Sequence, residues 1–261
     1  MKKLFCVLLL AGILLSPVSS HAKSDDRDVV YQVSTLSALM EGLYDGEVTI
    51  SELKERGNIG IGTFDALDGE MVCKDGKFYQ VKADGSVVRA DWGAKTPYAV
   101  VAYLDPFSKI DMVEMPSLDE LKSFLDANIP SENIFYAVKI TGTFKYVKTR
   151  SVPRQSAPYP RLSQVTQTQP VFEARDIQGT VVGFRSPEYV KGLCAVGYHF
   201  HFLSADESFG GHLLECAITQ ASAEVDDKTE FFMRLPNSEA FMNANLGSDK
   251  ETEIAKAESG R

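Results

Sequence analysis

Histidine is the scarcest informative residue in this chain. Of 261 residues only four are His, and three of them, His199, His201 and His212, fall within fourteen positions. Cysteine is as rare. Cys6 lies in the apolar N-terminal run, so Cys73, Cys194 and Cys216 remain, an odd count that makes no disulfide framework. One bridge between Cys194 and Cys216 still fits an oxidising compartment. Positive charge is also short. A net charge of −9 is the opposite of a basic nucleic-acid footprint, and that class is excluded. The single long apolar run, Leu4 to Leu15, is too brief to span a bilayer.

That run has another use. Met1-Lys2-Lys3, the apolar segment and the small-x-Ala end at Ser20-His21-Ala22 form a secretory signal peptide over residues 1–22, cleaved near Ala22. Cys6 is too early for lipid attachment, so a soluble exported protein, periplasmic or extracellular, is expected. Cleavage removes His21, and loss of Lys2 and Lys3 makes the remainder two charges more negative. Residues 23–261 suffice for one large domain or two closely packed small ones.

Punctuation along the chain predicts an α+β protein with few helices and strands dominating, possibly as two sheets. Leu36, Leu39, Met40 and Leu43 trace one face of a helix stopped near Gly46. Thr49 and Glu52 form a capping-box pattern, as do Ser117 and Glu120. Asp75-Gly76 and Asp84-Gly85 are successive hairpin turns from about Glu70 to Arg89. Ile134 to Tyr146 is expected as a strand, Ser151 to Pro160 as a loop, and Val171 to Phe184 as two strands around Gly179. A last strand covers Phe231 to Leu235, and the tail from Ser248 is polar and helix-compatible.

Between Tyr198 and Phe202 aromatic and histidine residues alternate, the period of a strand. His199 and His201 therefore share one face. A Ser-, Asp- and Gly-rich turn follows, and His212 opens a second strand. A hairpin centred between Asp206 and Glu207 sets His212 opposite His201, where Cβ atoms stand about 5 Å apart. Three neutral imidazoles suit Zn²⁺, and a site with three protein ligands leaves positions open for water or substrate. The alternatives at this point are core histidines in aromatic-rich strands, or a closed structural site recruiting cysteine. Asp65, Asp68 and Glu70 surround a turn, and Arg150 and Arg154 flank Ser151-Val152-Pro153, where guanidinium forks can hold a carboxylate. Both segments also read as ordinary surface loops.

Three segments together resemble the α-acetolactate decarboxylase family: Gly60 to Glu70, Thr149 to Gln155, and Gly197 to Asp206 with Gly210 to Leu214. The resemblance runs from about Tyr31 to the C-terminus. It implies zinc held by His199, His201 and His212, a catalytic pair Glu70 and Arg150, and Thr63 lining the substrate pocket. It also implies a glutamate brought from the tail; Glu258 is the best match, with Glu251 and Glu253 as alternatives. The implied fold is two β-rich subdomains with mixed and antiparallel sheets, the second from about residue 150, enclosing the metal and commonly forming a homodimer. The implied reaction converts 2-acetolactate to acetoin and CO₂, the metal stabilising an enediolate while Glu70 and Arg150 handle proton and carboxylate. Competing readings are another three-histidine zinc lyase, a cupin-like enzyme, and a non-enzymatic exported metal-binding protein. Cupins place a glutamate three or four residues after the second histidine, whereas Glu207 follows His201 after five intervening residues.

Overall fold

A computed structural model describes residues 26–248 and 250–259, without the side chains of residues 26, 251, 258 and 259. The leader expected at 1–22 lies outside the described residues. In chain order the strands are β1 (Val29–Val33), β2 (Val48–Thr49), β3 (Ile59–Thr63), β4 (Glu70–Lys74), β5 (Lys77–Val81), β6 (Val87–Arg89) and β7 (Lys95–Thr96). They continue with β8 (Ala99–Ala102), β9 (Ser108–Met115), β10 (Phe135–Arg150), β11 (Val171–Ser186), β12 (Gly197–Ser204), β13 (Gly210–Lys228) and β14 (Glu230–Arg234). The helices are short: α1 (Leu36–Met40), α2 (Ile50–Lys54), α3 (Leu118–Asp126), α4 (Leu162–Val165), α5 (Glu239–Asn243) and α6 (Glu251–Ser259).

Local chemistry accounts for many of the boundaries. Thr49 caps α2 in the expected box, accepting from the Glu52 amide while the Glu52 carboxylate accepts from the Thr49 amide. Ser117 caps α3. Asp75 and Gly76 both take positive φ, which lets β4 and β5 pair through a two-residue turn. The helix at Leu36 stops at Met40, earlier than its apolar stripe predicts, and Gly42 follows at φ +84°.

The strands form an α+β architecture of two main sheets. A seven-stranded sheet runs β14-β1-β8-β3-β4-β5-β6 and is mixed, because β14 lies parallel to β1. The five-stranded sheet is antiparallel throughout: β10, β11, β12 and β13 pair in turn, β13 pairs back onto β10, and β9 covers the outer side of β13. That return closes the sheet on itself. The chain passes to the five-stranded sheet between Ala102 and Ser108 and returns to the first with β14; no change of sheet falls near 150, because Arg150 ends a strand inside the five-stranded sheet.

Three apolar clusters hold these layers. One fills the closed sheet with Phe144, Phe200 and Phe202, and another lies under α2. The third joins the two sheets through residues such as Ile61, Val72, Val182 and Leu203, and takes in Ile254 and Ala257 of the tail. The tail is thus a packed helix despite its polar composition. Cys73, Cys194 and Cys216 are free, and each sits in a different cluster, so the Cys194–Cys216 bridge is not formed.

Strand β11 corrects another expectation. It is continuous from Val171 to Ser186, with Gly179 in its middle and facing Gly142 on β10. Gly179 serves close approach rather than a turn, since a Cβ there would stand 2.2 Å from Cζ of the buried Phe202 ring. Gly179→Ala is therefore expected to overpack the closed sheet and destabilise the fold by about 1–3 kcal/mol. A denaturation midpoint equal to that of the parent would remove this account of Gly179.

Candidate metal centre

Backbone register builds the centre. His201 on β12 is the direct partner of His212 on β13, as the hairpin reading required. His212 is at the same time the partner of Arg150 on β10. Three adjacent strands thus carry His201, His212 and Arg150 on one rung. Strand alternation adds His199 to the same face and turns Phe200 and Phe202 into the closed sheet's interior. The ligand nitrogens of the three histidines all lie within 4.8 Å of one another, and among the described residues theirs is the group of His, Cys, Asp or Glu donors close enough to share an ion. Neither cysteine considered for a closed structural site belongs to it.

The hydrogen bonds prepare these imidazoles for an ion. His201 Nδ1 stands 2.7 Å from the Met71 carbonyl and donates to it, which leaves the Nε2 lone pair facing the pocket. Nε2 is buried and makes no hydrogen bond among the described residues; the Glu70 carboxylate lies 3.6 Å away. His199 Nε2 and His212 Nδ1 are 3.1 Å apart. Burial, then the Arg150 and Lys122 charges, pushes His199 down to about 3, and burial followed by the His199 charge holds His201 well below the ordinary histidine value. Buried neutral imidazoles, one of them with a ring nitrogen that makes no hydrogen bond among the described residues, are a donor set a transition metal takes.

Glu70 reaches the centre from the other sheet. It is buried at the start of β4, directly opposite Thr63. Thr63 donates its hydroxyl to the Gly69 carbonyl at 2.7 Å, so it lines the pocket but shapes the turn that delivers Glu70. Asp65 and Asp68 are not part of the site. They pair with Arg154, at 3.2 and 3.6 Å, on the protein surface. Arg154 is thereby held at the surface, whereas Arg150 is only 4% exposed.

The Glu70 and Arg150 segments are tied together by backbone bonds. Gly69 N–H donates to the Val152 carbonyl at 3.1 Å, and Gln155 N–H to the Ala66 carbonyl at 2.8 Å. Ser151 donates its hydroxyl to Val81 of β5 at 2.7 Å, again across the sheets. Thr63, Glu70, Arg150 and the three histidines line one narrow pocket walled by Leu36, Leu39, Val152 and Leu162. A cavity of about 510 Å³ lies elsewhere, between the tail and residues 191–196, away from the histidines.

The Glu258 backbone lies in α6, whose Ile254 and Ala257 are buried against the core that includes Leu36, Leu39 and Leu162. The Glu258 side chain lies outside the described residues. Sequence reasoning missed two contributors. The Met71 carbonyl orients His201 from a distant strand, and backbone carbonyls leave no residue-type signal. Gln169, which accepts from Arg150 Nη1 at 2.7 Å, carried no pattern either.

Fold and site together define a β-rich α+β protein with a three-histidine metal-binding centre opposed by one acid and one arginine. The alpha-acetolactate decarboxylase family model matches residues 30–248. A relative of that name from Methanosarcina mazei is 46% identical over 94% of this chain and 84% of its own length. Another from Methylococcus capsulatus is 40% identical over 91% and 92%. The crystal structure of alpha-acetolactate decarboxylase from Bacillus subtilis superposes with a TM-score of 0.86 at 34% identity, covering 89% of this chain and all of that one. The chain belongs to the alpha-acetolactate decarboxylase family.

The histidine geometry has a consequence for acid stability. The folded values lie below the 6.5 of an exposed imidazole, so between 6.5 and about 3 the unfolded chain binds more protons than the folded one. Metal-free protein is expected to keep its full stability above that window and lose it as pH falls through it. Denaturation midpoints of metal-stripped protein should drop more steeply with acid than those of a His199→Asn variant; equal slopes would contradict the buried-neutral assignment.

Proposed function

We propose that this chain decarboxylates 2-acetolactate to acetoin and CO₂, using Zn²⁺ held by His199, His201 and His212. The observation that carries the reading is the convergence of Glu70, Arg150 and the three imidazoles on one pocket from two separate sheets. A metal store has no use for a buried acid and a buried arginine at the same opening. When bound, the ion supplies a Lewis acid for the substrate's hydroxyl and ketone oxygens, lowering the energy of the negative charge that builds on them.

The remaining work falls to the chain's own residues. Arg150 binds and orients the substrate carboxylate, its planar fork matching the two oxygens. Leu36, Leu39, Val152 and Leu162 keep water away from the reacting carbons. As the C–C bond to the carboxylate breaks, CO₂ leaves and its electron pair delocalises into the neighbouring ketone. The carbon that lost CO₂ then takes up one proton, and Glu70, held against His201, delivers it from one side. One-sided delivery gives a chiral product. The tail supports a helper role for Glu258, because α6 packs on α1 and α4, which form part of the pocket wall. The same reading includes export, on the leader pattern at Ser20-His21-Ala22, and a homodimer, on the family resemblance.

Zinc-loaded protein incubated with racemic 2-acetolactate is expected to release acetoin and CO₂ well above the spontaneous rate. No excess product with metal bound would end the reading. Glu70→Gln is expected to keep its zinc and lose about 10²–10⁴-fold in turnover, whereas His199→Ala should lose zinc and activity together. Near-normal acetoin formation by Glu70→Gln would remove Glu70 from the proton-delivery role.

A further inference from the structure

Two arginines are buried among the described residues, Arg150 and Arg185, and only one of them is paired with acids. Arg185 is the contrast. It is buried like Arg150, and donates from Nε to Asp126 at 2.8 Å and from Nη2 to Glu132 at 2.7 Å. Arg154, Arg161 and Arg234 are likewise paired with carboxylates. Arg150 forms no ion pair among the described residues. Its Nη1 donates to the Gln169 side-chain carbonyl at 2.7 Å, and its buried Nε has no partner among them.

The chain takes care to place that amide. Gln169 precedes Pro170 and adopts φ −63°, ψ 138°, the extended backbone a following proline favours. Pro170 then accepts a hydrogen bond from the Ser151 amide at 3.1 Å, and Val171 pairs with Arg150 across β10 and β11. Gln169 is thus registered to Arg150 through β10 and β11, while β10 and β13 fix Arg150 to His212. An amide oxygen orients a guanidinium as a carboxylate oxygen does, but carries no charge to cancel it. A buried cation with an unused donor calls for an anion.

We propose that Gln169 is a positioning residue for carboxylate capture: its neutral side chain holds Arg150 at the pocket while leaving the guanidinium charge for the substrate's carboxylate. This rests on the acetolactate reading. Glutamate at 169 has nearly the same shape and would satisfy Arg150 from within the protein, closing the anion site without removing any residue that touches substrate.

The test uses zinc-loaded protein and two inhibitors that divide the substrate's groups. 2-Hydroxy-2-methylpropanoate keeps the hydroxyl and the carboxylate; acetoin keeps the hydroxyl and the ketone. In Gln169→Glu, inhibition by the acid is expected to weaken about 10- to 100-fold, the scale of a lost charge-assisted bond. Inhibition by acetoin, metal content and melting temperature should stay as in the parent, and KM for 2-acetolactate should rise more than kcat falls. Gln169→Leu adds no charge and serves if the glutamate variant fails to fold; it should weaken the acid selectively but less. Unchanged acid inhibition, or equal weakening of both inhibitors, overturns the proposal. A parent enzyme that makes no acetoin overturns the acetolactate reading itself, whereas an active parent with an indifferent Gln169→Glu overturns only the role of Gln169.

Discussion

Strand β13 has two partners at His212, and most of the site's geometry descends from that double pairing. On one flank it meets β12 for only three residues, ending at the His201 pair; on the other it meets β10, beginning at the Arg150 pair. Both ladders must close on the same residue. Gly211 makes this feasible: it takes φ +129°, and a Cβ there would stand 2.3 Å from the Arg150 carbonyl oxygen. Only a bare backbone passes between the two neighbours. The spacing of His201, His212 and Arg150 is consequently set by main-chain hydrogen bonds rather than by flexible side chains, which is how a site is preorganised.

The closed sheet alone supplies ligands and a cation but no acid. Glu70 belongs to the other sheet, and its position relative to the histidines depends on the apolar layer between them. That layer contains Ile61 and Val72, which pair with each other just along β3 and β4 from Thr63 and Glu70. Hydrogen bonds stitch the edges of the layer where the Glu70 and Arg150 segments meet, from Gly69 to Val152 and from Ser151 to Val81. Met71 completes the join, since its residue neighbours Glu70 in sequence and its carbonyl fixes the ring of His201. Sliding the sheets past each other would therefore disturb the acid and a ligand tautomer at once. Two contributions to the chemistry share one packing interface.

Short-range features were legible in the sequence, and features that arise from closure were not. The hairpin register followed from counting around Asp206 and Glu207, because strand period and turn length suffice to place His212 against His201. The caps at Thr49 and Ser117 and the turn at Asp75-Gly76 are equally local. Gly179 misled because a glycine marks a turn or a close approach alike, and the Phe202 ring that decides between them lies on another strand. The sheet boundary was misplaced for a related reason: the proline-rich loop after Arg150 looks like a linker, yet the strands on either side of it, β10 and β11, are neighbours. The tail reads as polar and helix-compatible, and what its composition does not show is that Ile254 and Ala257 are enough to seat one face of a short helix on α1 and α4. Family motifs named Glu70 and Arg150 where composition could not. They gave no hint of Gln169, whose meaning depends on what stands beside Arg150.

Charge completes the logic of the site. The whole chain carries a net charge of −9, which at long range disfavours an anionic substrate. Such repulsion is screened within roughly 8–10 Å at ordinary ionic strength, so what a substrate meets at the pocket is the local field. There His199 and His201 are held neutral by burial, Arg150 stands beside an amide, and Glu70 is the acid on the opposite wall. A divalent ion on the histidines would add two positive charges to that balance and tip the pocket strongly towards anions. Under the proposed carboxylate capture, an uncharged hydroxyketone in the same place would leave Arg150 Nε without the partner that a carboxylate would supply. Once that carboxylate departs as neutral CO₂, the partner is lost again, and what remains binds less tightly than what entered. Under the proposed role of Arg150, the same buried donor that selects an acid therefore also favours release of the product that no longer is one.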